Sequence, residues 1–125
     1  YRRGGLIAKL SADRYLWPGE VRTRPVREFT VHRELQRRGL PVPAIVGVRC
    51  QRDGGTYRGD ILTERLLDTD TLAARLATEA LGVADWIELG RVLRRFHDAG
   101  LDHADLNAHN ILWRGTAEIF LIDFD

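Results

Sequence analysis

The chain has 125 residues, 44% of them hydrophobic, which is enough apolar surface for the core of one small domain. Its formal net charge of +1 gives no overall electrostatic attraction for nucleic acid. The single cysteine, Cys50, excludes an intrachain disulfide and a cysteine-based zinc cluster, which fits a reducing cytoplasm.

Arginine dominates the basic residues, with eighteen arginines against one lysine, Lys9. The planar guanidinium group matches carboxylate and phosphate oxygens, so an arginine-rich surface suits an anionic substrate. Codon usage in a GC-rich genome explains the same bias equally well. No apolar run approaches the roughly 20 residues that cross a bilayer, and peripheral membrane contact stays open.

The first segment predicts a strand end and a turn over residues 1–5, followed by a short helix or strand that ends at Pro18-Gly19. Lys9 lies in this segment and is a candidate for pairing with phosphate groups, although it could equally be a solvated lysine. Arg22, Arg24 and Arg27 follow closely. They predict either an anion-binding cluster or an ordinary solvated face.

The next segment predicts a helix over residues 25–38, because proline suits a first turn and Gly39 suits a C-terminal cap. Glu28 lies at the edge of its apolar face, and Glu34 is the other acidic residue. Residues 42–51 and 57–66 then predict a hairpin around a turn that contains Gly54-Gly55.

Two further helical segments are predicted after this hairpin. The first starts near Asp70, directly after the hairpin's second strand. The second covers residues 83–99, where Trp86, Leu89, Leu93 and Phe96 are spaced for one buried stripe. This helix leads the chain to its most informative motif.

That motif has the pattern H-x-D-x-x-x-x-N over residues 103–110, followed by Asp-Phe-Asp at 123–125. The pair has the spacing of the catalytic loop and metal-binding strand of phosphotransferases with the protein-kinase fold. Asp105 would orient the acceptor hydroxyl and accept its proton, while Asn110 and Asp123 would bind Mg²⁺ on the phosphates of ATP. A predicted hairpin, with strands at 111–114 and 119–122, brings Asn110 and Asp123 side by side.

The kinase interpretation gives earlier residues a role. Glu28, or else Glu34, would position the phosphate-pairing cation, and main-chain groups of Glu64 and Leu66 would contact adenine at a hinge. The expected fold class is α+β, a two-lobed kinase-like fold present as an incomplete fragment. Residues 1–66 would form part of the N-terminal lobe and residues 67–125 part of the C-terminal lobe.

Several segments together resemble the lipopolysaccharide kinase family of Gram-negative bacteria, which includes the kinases of 3-deoxy-D-manno-octulosonic acid (Kdo). The resemblance covers nearly the whole chain, in the segments Arg2-Arg3-Gly4-Gly5-Leu6, Asp13-Arg14-Tyr15-Leu16, Arg27-Glu28-Phe29, Gly39-Leu40-Pro41-Val42-Pro43, Leu62-Thr63-Glu64-Arg65, Arg94-Arg95-Phe96-His97-Asp98-Ala99-Gly100, His103-Ala104-Asp105-Leu106-Asn107-Ala108-His109-Asn110 and Leu121-Ile122-Asp123-Phe124-Asp125. It implies phosphorylation by ATP of the 4-hydroxyl of Kdo on a Kdo-lipid A precursor. It also implies that the enzyme acts as a peripheral protein at the cytoplasmic face of the inner membrane. It further implies that the phosphate-pairing cation lies upstream of Tyr1.

Three alternatives remain. His97, His103 and His109 could belong to a transition-metal site, although a spacing of six residues does not place imidazoles on one helical face; His103 would otherwise brace the catalytic loop. An aminoglycoside-like phosphotransferase would share the same catalytic loop. A pseudokinase would bind ATP without transfer. Asn107 and Asp125, which replace the lysine and glycine of protein-serine kinases, favour a small-molecule or lipid-linked acceptor.

Overall fold

The computed structural model of the chain describes residues 15, 16, 19 and 23–124. The predicted strand end at residues 1–5, the candidate Lys9, and the residues Arg22 and Asp125 lie outside this part of the chain. The described residues form a mixed α+β structure. The division into two lobes stays a prediction.

The first half of the described chain contains three strands and one helix. β1 is Tyr15–Leu16, α1 is Arg24–Arg37, β2 is Ile45–Asp53 and β3 is Thr56–Thr63. Within the described residues the three strands form an antiparallel sheet in the order β1-β3-β2. The helix and the hairpin confirm the two elements predicted here.

The second half contains the remaining elements. β4 is Thr69–Thr71, α2 is Leu72–Thr78, α3 is Val83–Asp98, β5 is Ile111–Arg114 and β6 is Glu118–Leu121. In the described chain β4, β5 and β6 form a second antiparallel sheet, in that order. The helix at 83–99 and the last hairpin are confirmed, each within one or two residues of its predicted end.

The helix predicted to start near Asp70 is confirmed, with its start two residues later at Leu72, but the strand β4 before it was not predicted. Asp70 lies in β4 and pairs with Trp113 of β5, a partner more than forty positions away that leaves no local signal in the sequence. The helix begins at Leu72, after Thr71, whose Oγ1 accepts a hydrogen bond of 3.1 Å from the Ala74 N–H group. A threonine cap therefore separates the strand from the helix.

One hydrophobic core joins the two halves. Its buried members are Leu35, Leu40, Val42, Leu72, Leu89, Val92, Phe96, Ile111, Trp113, Ile119, Leu121 and Phe124. Trp86 is not among them, because 48% of its surface is exposed, and the prediction that it belongs to the buried stripe is wrong. The buried residues of α3 are Leu89, Val92 and Phe96, all of them C-terminal to Trp86.

Two hydrogen bonds hold the segment between α1 and β2, one from the backbone of β6 and one from the Arg95 side chain of α3. The Leu121 N–H group donates to the Pro41 carbonyl over 3.1 Å, and Arg95 Nη2 donates to the Gly39 carbonyl over 2.8 Å. These bonds fix α1 relative to the segment that carries Asp123. None of the described helices is long and apolar enough to span a membrane.

Gly59 lets α1 approach β3 closely. A methyl group built on Gly59 would meet Pro25 Cγ well inside van der Waals contact, so we expect Gly59→Ala to destabilise the fold by about 1–3 kcal/mol. Gly55→Ala is the matched control, because a Cβ atom there meets nothing within 4 Å. Urea unfolding of both variants checks this, and equal midpoints would contradict the close approach.

Candidate active site

The loop between α3 and β5 presents the Asp105 side chain to solvent. The Asp105 carbonyl accepts hydrogen bonds from Asn110 Nδ2 over 2.9 Å and from Asn107 Nδ2 over 3.1 Å. Asn107 Oδ1 in turn accepts a 2.8 Å bond from the His109 N–H group. These bonds fix the backbone of Asp105, while its carboxylate stays exposed and able to meet a substrate.

The last hairpin brings Asn110 next to the segment that contains Asp123, as predicted. Ile111 pairs with Leu121, and the Ile122 N–H group donates to the Asn110 carbonyl over 3.0 Å. Asn110 is 8% exposed and uses its amide nitrogen on Asp105, which leaves Oδ1 as the atom that could bind a metal ion. Asp123 follows directly after Ile122.

The backbone of Asp123 has a φ of +65°, in the left-handed region that asparagine and aspartate tolerate better than other non-glycine residues. Such a conformation persists where surrounding contacts hold it, and it is concentrated at functional sites. Here both neighbours are held, Ile122 by the hairpin and Phe124 by burial. The backbone of Asp123 is therefore held by its neighbours.

Phe124 is enclosed by three rings. Its ring centroid lies 5.1 Å from that of His103, 5.9 Å from that of Phe96 and 5.7 Å from that of His32. These distances lie in the range of favourable aromatic contacts. The cluster therefore links α1, α3 and the loop between α3 and β5 through the residue that follows Asp123.

Both histidines of this cluster are anchored to the backbone. His103 Nε2 donates to the Ile122 carbonyl over 2.9 Å, so His103 braces the loop as predicted, and His32 Nε2 donates to the Pro43 carbonyl over 2.6 Å. A carbonyl can only accept, so Nε2 carries the proton in each ring. Sequence reasoning missed His32, whose signal was its place one helical turn after Glu28.

A cavity of about 380 Å³, which we call the hinge cavity, collects most of the predicted site residues. Its lining residues include Glu28, Glu64, Leu66 and Asp123, brought together from three parts of the sequence. Asp105 and Asn110 do not line this cavity. Ile122, which does, donates its N–H group to the Asn110 carbonyl, and Asn110 is in turn hydrogen-bonded to Asp105.

The segment between β3 and β4 borders this cavity with main-chain groups. The Glu64 N–H group donates to the Ala44 carbonyl over 2.7 Å, and the Leu66 carbonyl accepts a 3.1 Å bond from Thr69 Oγ1. In the part of the chain that the structure describes, no hydrogen bond uses the Glu64 carbonyl or the Leu66 N–H group. One acceptor and one donor are thus left for a ligand.

The two glutamates of α1 have different surroundings. Glu28 lines the hinge cavity, whereas Glu34 binds Arg37 and Arg38 at the surface, with N–O distances of 2.8 and 2.7 Å. Hydrogen bonds from these two arginines lower the pKa of Glu34 to about 2. Glu34 therefore remains ionised under ordinary assay conditions but lies away from the hinge cavity, whereas Glu28 lines that cavity and is the candidate for the site.

Glu28→Gln should lower the rate of phosphoryl transfer by roughly tenfold or more, because the amide cannot position a cation as the carboxylate does. Glu34→Gln, on the same helix, should leave the rate within about twofold of the wild type. Steady-state kinetics of the full-length protein compares the two. Equal losses in both variants would show that Glu28 acts only through the helix.

The histidine alternative finds no support in the described chain. No group of three or more His, Cys, Asp or Glu side chains is placed to hold a metal ion among these residues. His103 instead contacts the Phe124 ring and the Ile122 carbonyl. A magnesium site of Asn110, Asp123 and nucleotide oxygens would not form such a group, because most of its ligands come from the nucleotide and water.

Comparison with known proteins gives a consistent result. The model of the Lipopolysaccharide kinase (Kdo/WaaP) family matches residues 1–125. Proteins named 3-deoxy-D-manno-octulosonic acid kinase are similar over all 125 residues, with 51% identity in Stenotrophomonas maltophilia (strain K279a) and 50% in Xanthomonas campestris pv. campestris (strain B100) and Xylella fastidiosa (strain M23). The chain spans about half the length, 50%, of these relatives. No solved structure matches it.

Proposed function

The chain belongs to the lipopolysaccharide kinase (Kdo/WaaP) family, and from this membership we propose that it carries the nucleotide and catalytic residues of an ATP-dependent Kdo kinase. The proposed acceptor is the 4-hydroxyl of the Kdo residue on a Kdo-lipid A precursor, in lipopolysaccharide core biosynthesis. The name of the relatives, 3-deoxy-D-manno-octulosonic acid kinase, supports this acceptor class. The observation that carries the proposal is the hinge cavity shared by Glu28, Glu64, Leu66 and Asp123.

In the proposed arrangement adenine occupies the hinge cavity. The Glu64 carbonyl accepts from its amino group, and the Leu66 N–H group donates to a ring nitrogen. This orientation follows from which main-chain groups are already used, since the Glu64 N–H group is bonded to Ala44. Leu112 and Ile61 line the same cavity and offer apolar contact to the ring faces.

The metal-binding residues would be Asn110 and Asp123. An amide oxygen and a carboxylate are hard oxygen ligands, the type that Mg²⁺ prefers, so the donor set fits this ion. A bound Mg²⁺ supplies charge neutralisation on the nucleotide phosphates. The chain's own contribution is to hold the two ligands side by side through the hairpin and the ring cluster around Phe124.

Asp105 would orient the acceptor hydroxyl and take its proton. Its exposed carboxylate and doubly hydrogen-bonded carbonyl suit a group that must reach a substrate from a fixed backbone. Glu28 would position the phosphate-pairing cation. These roles belong to a two-lobed kinase-like fold, and the acceptor implies a peripheral position at the cytoplasmic face of the inner membrane.

The test is transfer of labelled phosphate from ATP by the full-length protein, in the presence and absence of Mg²⁺. We expect magnesium-dependent transfer to a Kdo-bearing lipid A precursor and none to aminoglycosides. Tight ATP binding without transfer to any acceptor would support a pseudokinase instead. Transfer to aminoglycosides alone would indicate that the protein is an antibiotic phosphotransferase.

A further inference from the structure

A second cavity, of about 360 Å³, lies against α1 and is lined by Arg24, Arg27, Glu28, Val31 and Phe124. We call it the arginine cavity. Its four α1 residues lie at positions i, i+3, i+4 and i+7, so they share one face of the helix. The roles proposed above for ATP and magnesium use neither arginine.

The arginine cavity adjoins the hinge cavity. Glu28 lines both, and Phe124, which lines the arginine cavity, directly follows Asp123, which lines the hinge cavity. A hydroxyl that receives phosphate near Asp123 must belong to a molecule whose remaining groups lie a few ångströms away. The arginine cavity is one place beside Asp123 where such groups could be held.

The charge of this cavity suits an anion. Two arginines and one glutamate line it, and the first turn of α1, residues 24–27, contains no acidic residue. Arg24 and Arg27 are both exposed, so a ligand can reach them. A guanidinium group remains charged at all relevant pH values and can bind a carboxylate through two parallel hydrogen bonds.

The arginines are carried by a rigid part of the fold. The Arg24 N–H group donates to Tyr57 Oη over 3.1 Å, and Pro25 packs on Gly59 of β3, so the start of α1 is fixed to the sheet. Phe124, only 6% exposed, forms an apolar wall held by its ring contacts. Val31, 39% exposed, offers further apolar contact beside the charged groups.

We propose that the arginine cavity binds the carboxylate of the acidic acceptor sugar, with Arg27 and Arg24 as the residues that select an acid over a neutral sugar. This inference rests on the proposed function, because the acceptor class is taken from it. The sugar named in the relatives is an acid and therefore carries the group that a guanidinium pair recognises.

The test uses the full-length protein and a matched arginine on the same helix. In Arg27→Gln and Arg24→Gln the KM for the Kdo-bearing acceptor should rise about tenfold or more, because each substitution removes a charge-assisted hydrogen bond. The KM for ATP should stay within about twofold. Arg33→Gln is the control, because Arg33 is exposed on α1, contacts Phe29 and does not line the cavity.

An acceptor with its carboxylate converted to the methyl ester separates charge recognition from folding. The wild type should prefer the acid by about tenfold or more, and Arg27→Gln should lose most of that preference, while Arg27→Lys recovers part of it. An unchanged preference in Arg27→Gln, a rise in the KM for ATP instead, or a wild type that accepts acid and ester equally would each overturn the inference. Failure of the wild type to phosphorylate either acceptor would instead refute the proposed function.

Discussion

Asp105→Ala should reduce phosphoryl transfer by about 10²–10⁴-fold while ATP affinity stays within about twofold, because a general base acts on the acceptor and not on the nucleotide. The substitution removes the carboxylate only. The Asp105 carbonyl, which accepts from Asn107 and Asn110, remains, so the loop should keep its conformation.

Asp102→Ala is the control for this prediction, since Asp102 is an exposed carboxylate three residues upstream in the same loop. Single-turnover transfer and binding of a fluorescent nucleotide are measured in both variants. Substantial transfer by Asp105→Ala would remove Asp105 from its proposed role. An equal loss in Asp102→Ala would point to a general effect of charge near the loop.

Asp123→Asn should weaken magnesium-dependent nucleotide binding by roughly tenfold or more and reduce transfer by at least as much, since a neutral amide replaces an anionic ligand. Asparagine is the informative choice because it tolerates the φ of +65° at this position, whereas alanine would add backbone strain to the loss of charge. The effect of Asp123→Asn thus reports on the carboxylate.

Asp68→Asn is the matched control for Asp123→Asn. Asp68 also has a positive φ, +54°, is also exposed and lines a different cavity, beside Trp113 and Arg75. The Asp68→Asn variant should bind Mg²⁺-ATP as the wild type does. Isothermal titration with and without Mg²⁺ makes the comparison, and equal binding by the wild type and Asp123→Asn would exclude Asp123 as a ligand.

The local pattern predicted most of the fold. The helices at 25–38 and 83–99 were predicted from Pro25, Gly39 and Gly100, and the last hairpin was predicted from a glycine-containing turn between apolar runs. Long-range contacts had no such signal. β4 exists because it pairs with β5, and Trp86 is exposed although it lies one turn before the buried Leu89.

The same distinction applies to the site. The spacing of Asp105, Asn110 and Asp123 was visible because the loop and the hairpin are local, and hydrogen bonds within them fix their geometry. The sequence favoured Glu28 over Glu34 only through its place at the edge of the apolar face, because which side of α1 faces the hinge cavity depends on long-range packing. The contact of His32 with Phe124 joins residues that are distant in sequence and was missed for that reason.

We propose that Asp105, Asn110 and Asp123 serve one magnesium-nucleotide site. The most direct measurement is the electron paramagnetic resonance of Mn²⁺, used in place of Mg²⁺, bound to the full-length protein with a non-hydrolysable ATP analogue. We predict one nucleotide-dependent Mn²⁺ that is weakened in Asn110→Ala and in Asp123→Asn and retained in Asp105→Ala and Asp68→Asn. Wild-type Mn²⁺ binding in both Asn110→Ala and Asp123→Asn would show that these two residues do not bind the metal ion.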